Sequence, residues 1–182
     1  MTQIQYPNDV TGSIQVTHGS DGRLNVSSRS DSRGYYNSRD LKQSYSLVFD
    51  DAAADANDYI VYWKNDSTDK QLVIGSVGVN STVAGSFKLH FVTGTVSGGS
   101  TLTPLNLNRT SANDAVATCS GNGALSGLTS IGEIDQLMVT AGGHEEFRLG
   151  DRIRLGQNDA IALEYDRGSV TIAEGVIFGF YE

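Results

Sequence analysis

From Leu41 onward the chain is a succession of short runs of β-branched and aromatic residues, each closed by Gly, Asn, Asp or Ser, and no long stretch repeats its apolar positions with a helical period. Apolar residues at every second position turn one face of an extended segment to a core and the other to solvent. Ser44 to Phe49 has that pattern, with Tyr45, Leu47 and Phe49 alternating with Ser44 and Ser46. Tyr59 to Lys64 is apolar on both faces and predicts a buried strand. Leu72 to Val79 and Phe87 to Val92 follow, the second with Phe87, Leu89 and Phe91 on one face and Lys88 and His90 on the other. The acidic, alanine-rich Asp50 to Asp58 between the first two strands fits one helical turn or a loop.

Thr101 to Asn108 carries Pro104, which cannot donate to a ladder and so belongs at an edge or a strand end. Ala115 to Cys119 and Ile134 to Thr140 are two further strands, on either side of a Gly-rich loop from Ser120 to Ser130. Ile153 to Leu155, Asp159 to Tyr165 and Val170 to Tyr181 complete the set, and Asp166-Arg-Gly-Ser169 predicts a turn that makes the last two a hairpin. Eight or more short antiparallel strands at this spacing predict an all-β, two-sheet sandwich of the jelly-roll kind. If Tyr165 pairs with Val170, one face of the hairpin is bulky and the other carries Ala160, Ala162, Ala173 and Gly175. So flat a face suits close approach by a neighbouring subunit or by another sheet of the same chain.

Thr11 to Asp40 is Ser, Gly, Asp, Asn and Arg with little periodicity. It predicts an irregular N-terminal arm over residues 1–40 ahead of a single domain at 41–182, a division that suits 182 residues. Arg23, Arg29, Arg33 and Arg39 cluster in this arm of a chain whose net charge is −8. The acidic balance argues against a nucleic-acid partner, because phosphate recognition needs concentrated Lys and Arg. No apolar run approaches the roughly 18 residues that cross a bilayer as a helix, and the first residues lack a basic start and an apolar stretch. A soluble chain made in a cytoplasm, with no membrane partner, is expected.

Chemistry is sparsely provided for. The single cysteine, Cys119, allows neither an internal disulfide nor a multi-thiolate metal site and lies in no nucleophile motif. His18, His90 and His144 are scattered, so a catalytic triad requires one of them to find a nucleophile and a carboxylate across the fold. Gly142-Gly-His-Glu-Glu146 has one histidine beside two acids that point to opposite faces of a strand, which is not a metal-binding spacing. Asp50, Asp51, Asp55 and Asp58 lack the alternating ligands and central glycine of a calcium loop. Gly94 to Gly99 and Gly121 to Gly127 match no phosphate-binding fingerprint and read as loops. No enzyme activity, metal or cofactor is expected. Tyr35 and Tyr36, in the polar leader, are the aromatic pair best placed for an external partner.

Arg33-Gly-Tyr-Tyr-Asn-Ser-Arg39, Leu102-Thr-Pro-Leu-Asn-Leu-Asn-Arg-Thr-Ser111, Leu155-Gly-Gln-Asn-Asp-Ala-Ile-Ala-Leu163 and Gly179-Phe-Tyr-Glu182 resemble the jelly-roll cement or decoration proteins of tailed bacteriophages. The likeness spans most of the chain after residue 33. It implies a virion protein on the capsid exterior, a homotrimer or alternatively a dimer, that clamps the major capsid protein. Arg23, Arg29, Arg33, Tyr35, Tyr36 and Arg39 are then the expected capsid contacts, and Ala160, Ala162, Ala173 and Gly175 the expected subunit interface. The rival expectation is a carbohydrate-binding jelly-roll module or a tail-fibre-associated protein that stacks sugars on exposed aromatics.

Overall fold

The computed structural model describes residues 15–18, 24–27, 33–167 and 170–182. Two antiparallel sheets pack face to face. One has the order β10 (His144–Leu155), β5 (Leu72–Ser81), β12 (Thr171–Tyr181), β3 (Ser44–Ala54) and β8 (Leu105–Asn106). The other has the order β4 (Asp58–Asn65), β11 (Ala160–Arg167), β6 (Gly85–Ser97), β9 (Ala117–Val139) and β7 (Ser100–Thr101). Leaving out the two-residue strands β7 and β8, consecutive long strands from β3 onward change sheets at every step but one, β6 to β9, which pair within one sheet, as in the double Greek key of a jelly roll.

The alternating positions supply the core. Tyr45, Leu47 and Phe49 from β3 meet Trp63, Phe87, Leu89, Leu163 and Tyr165 from the opposite sheet. Pro104 lies between the short strands β7 and β8 at the sheet margins, as its missing N–H requires.

Four features differ from the sequence-based expectation. β11 and β12 are not a hairpin: β11 pairs with β4 and β6, whereas β12 pairs with β3 and β5, so the chain changes sheets between them. β3 runs on to Ala54 in place of a helical turn, and Asn57, with φ of 72°, takes the turn into β4. The two strands expected around a Gly-rich loop are one 23-residue strand, β9. Finally, the leader is not wholly irregular, because β1 (Gln15–His18) pairs with β2 (Leu24–Ser27), and α1 (Arg33–Tyr36) continues into a π-type turn at Asn37–Leu41 that packs on β12. Lys42 ends that turn in the left-handed conformation, φ 55°.

The long strand β9 sets the shape of the second sheet. Its first part pairs with β4 from Ala117 to Leu125, and its second part pairs with β6 from Ser126 to Val139. The cycle β4–β11–β6–β9 therefore closes on itself, and β9 crosses the face turned away from the main core. The crossing needs sharp bends, and glycine provides them. Gly94 has φ of 108°, and a Cβ there would meet Gly127 O at 2.2 Å. Gly127 has φ of 76°, and a Cβ would meet Thr95 O at 2.2 Å.

Candidate functional site

Closure of the ring creates a second, smaller core of Tyr62, Val92, Leu125, Ala160 and Ala162, with Tyr59, Val96 and Leu128 packed against it. The alanines are small because β9 folds over them. Ala160, Ala162 and Ala173 are buried within the chain, and a Cβ on Gly175 would lie 2.1 Å from Gly78 O and 2.6 Å from Phe49 Cζ. Of the expected subunit interface, Ala160, Ala162 and Ala173 are thus corrected, being covered by neighbouring strands of their own chain, and half-buried Gly175 is small where β5 and Phe49 approach it.

One rim of this ring is polar. On β6, β11 and β9 the positions in phase with the alanines become His90, Glu164 and Ser130. His90 Nδ1 lies 3.0 Å from Ser130 Oγ, and His90 Nε2 lies 2.7 Å from Glu164 Oε2. The carboxylate approaches off the ring N–H axis, so it acts through charge more than through an aligned hydrogen bond. The Tyr59 ring meets His90 edge-on with centroids 5.8 Å apart. Burial, and secondarily the charge of Glu164, raise the Tyr59 pKa, while the Ser130 hydroxyl partly offsets them.

Lys88 extends the cluster, donating to Asp166 Oδ1 at 2.5 Å with Glu133 Oε2 at 3.9 Å, while Ser86 Oγ donates to Asp166 Oδ2 at 3.0 Å. The Lys88 hydrogen bond lowers the Asp166 pKa, and the same bond raises that of Lys88. One histidine therefore does find both a nucleophile and a carboxylate across the fold, which the scattered sequence positions hid.

The expected capsid contacts have different fates. Arg23 and Arg29 lie outside the described residues. Arg33 pairs with Glu182 at 3.3 Å, and Arg154 pairs with the same carboxylate. Arg39 donates to Asp40 at 2.6 Å and lies over the Tyr35 ring, 5.0 Å from its centroid. Tyr35 is exposed and Tyr36 is half-buried. This part of the leader is fastened to the domain: Asn108 Nδ2 donates to Ser38 O, and Asn106 Nδ2 to Lys42 O, both at 2.9 Å. The asparagines of Leu102 to Ser111 hence tie the leader to the edge of the first sheet.

The outer face of that sheet carries a surface that the sequence did not single out. Cross-strand register aligns Leu105, Ser46, Phe178, Ser76 and Arg148 in one row and Val48, Val176, Gly78 and Glu146 in the next. Leu105 is 69%, Val48 65% and Phe178 40% exposed. A third row, Asp50, Glu174, Asn80 and His144, is acidic and polar. The face is therefore apolar at its centre, acidic toward one end and of mixed charge at the β10 edge, where Arg148 pairs with Glu146.

A cleft of about 300 Å³ opens between the loops at one end of the sandwich, with Tyr45 and Tyr181 at its base and Asp69, Lys70, Asn113 and Asp114 on its walls. Cys119 is buried against Trp63 of β4, and burial pushes its thiol far above the usual range. Among the described residues no three His, Cys, Asp or Glu side chains group as a metal site, and no helix is long and apolar enough to cross a membrane. No family model, curated protein or solved structure matches the chain.

Proposed function

We propose that the chain is a structural protein of a phage particle, a cement or decoration protein that holds the major capsid protein shell from outside. The carrying observation is the outer face of the first sheet. Contiguous exposed apolar side chains, rimmed by charge, mark interaction surfaces on soluble folds. In this reading Val48, Phe178 and Leu105 press on the capsid, and Asp50 and Glu174 steer the approach. Binding is the task this reading assigns to the outer face. Many modest contacts on one shell sum through avidity, as does assembly into trimers. The resemblance of the leader, the 102–111 segment and the C-terminus to cement proteins supports the same assignment.

The test adds purified chain to undecorated heads and measures occupancy by quantitative electrophoresis. Val48→Asp with Phe178→Asp is expected to lower occupancy at least tenfold while leaving the fold intact, because both side chains already face solvent. Occupancy equal to that of the unaltered chain defeats the assignment of this face. A second reading, carbohydrate binding, draws on the cleft between Tyr45, Tyr181 and Asp114, where polar walls stand over aromatic rings. A glycan array showing a specific sugar that is lost on Asp114→Ala would select it instead.

A further inference from the structure

The polar rim of the small ring has no task in a binding role. An imidazole that is 6% exposed holds one nitrogen 3.0 Å from a hydroxyl and the other 2.7 Å from a carboxylate, the three groups that acyl transfer to a serine requires. Of the three groups, Ser130 is the one open to solvent, and Glu164 is largely covered. The strand is shaped around this point: register shifts between Leu89 and His90 and between Phe91 and Val92 leave Ser130 opposite Val92, on the face shared with His90. Ser130 itself is exposed on β9, so its hydroxyl can be reached from solvent.

We propose that Ser130, His90 and Glu164 form an esterolytic triad in which Ser130 is the nucleophile, a function additional to binding. With the ring proton on Nε2, where the charge of Glu164 acts from off the N–H axis, Nδ1 accepts the Ser130 proton. Ser130 Oγ attacks the acyl carbon as that proton passes to Nδ1, and Glu164 stabilises the imidazolium. The ester C–O bond breaks, the proton moves from Nδ1 to the departing alkoxide, and an acyl-serine remains. Water then attacks the acyl carbon with His90 again taking and returning the proton, releasing the acid and restoring the hydroxyl. Tyr59, whose hydroxyl stays protonated and interacts with Ser130, is assigned the role of donor to the developing oxyanion. Because Ser130 is exposed on a strand surface, the substrate class is a short acyl ester, such as an O-acetyl group, presented on a larger molecule.

The experiment treats the full chain with a fluorophosphonate probe and, separately, with p-nitrophenyl acetate. A single adduct mapped to Ser130 is expected, together with p-nitrophenol release that disappears in Ser130→Ala. His90→Gln is expected to slow both reactions on the order of 100-fold. Glu164 is a positioning residue, so Glu164→Gln slows both and Glu164→Asp restores part of the rate. If His90→Gln lowers the melting temperature into the assay range, the Ser130 and Glu164 variants decide alone. Absence of an adduct at Ser130, or labelling at the same rate without a competent His90 or Glu164, overturns the triad.

Discussion

Gly175→Ala separates two explanations of the small residues in the last strand. Gly175 lies in β12 between β3 and β5, and an added Cβ would sit 2.1 Å from Gly78 O and 2.6 Å from Phe49 Cζ. Contact distances for such atoms are above 3 Å, so two central strands must part by about 1 Å to clear Gly78 O, and the Phe49 ring must also shift. Overpacking of this kind costs about 1–3 kcal/mol. Alanine recovers roughly 0.5–1 kcal/mol of backbone entropy in a strand, which leaves a net loss of about 1–2 kcal/mol. At roughly 2–4 °C per kcal/mol for a chain of this length, the melting temperature falls by about 2–8 °C. Calorimetry at several protein concentrations reads the effect, which is expected to be independent of concentration because the contact is internal. An unchanged or raised melting temperature refutes the close approach, and a loss that grows on dilution returns Gly175 to a subunit interface.

Asn65 is fully buried, donates to Lys70 O at 2.9 Å and Leu155 O at 2.8 Å, and accepts from Ser67 N at 2.9 Å. Asn65→Ala strands three backbone groups and is expected to cost about 3 kcal/mol in urea unfolding; a loss below about 1 kcal/mol contradicts the network. Cys119 is expected to resist a thiol reagent in the native chain and react fully in denaturant, since burial, with Asp66 adding to it, keeps the thiol protonated. Rapid stoichiometric reaction of native protein refutes that. For Asp166 the folded pKa lies below the unfolded value of about 3.9, so its contribution is present above that pH and disappears as pH falls through the folded pKa. Lys88→Met removes the principal cause, and its stability is expected to fall less steeply than that of the unaltered chain below about pH 5. Parallel curves sink this account.

The two-sheet fold was legible because a period of two survives wherever one face is buried, as in Tyr45, Leu47 and Phe49. It failed where glycine was taken as punctuation. Gly94, Gly121, Gly123 and Gly127 lie within paired strands, and Gly94 and Gly127 bend β9 and its partner where a Cβ would strike backbone. The flat hairpin face failed for a related reason. Small residues report close approach without naming the approaching segment, and a strand contiguous in sequence was assumed where β9 and β5 were the actual neighbours. Ser130, His90 and Glu164 carry no local spacing at all. Their one sequence signal is phase: each occupies a position whose strand neighbours alternate with core residues, and only the sheet order brings those phases into register.

The passage of β9 across its own sheet decides which surfaces remain for other work. Had the face bearing Ala160 and Ala162 stayed open, both outer faces of the sandwich would be candidates for docking, and the smaller one would be flat and apolar. Closure consumes that face, burying it under Leu125 and Leu128. Among the described residues, the broad apolar surface left outside is the opposite sheet, with Val48 and Phe178 at its centre. The same closure removes water from one side of His90 and Glu164, and charge–dipole interactions strengthen where water is excluded. One strand crossing thus separates the molecule into a face suited to adhesion and a rim suited to chemistry. A substitution that harms one should leave the other unaffected, because the two lie on opposite sheets with the main core between them.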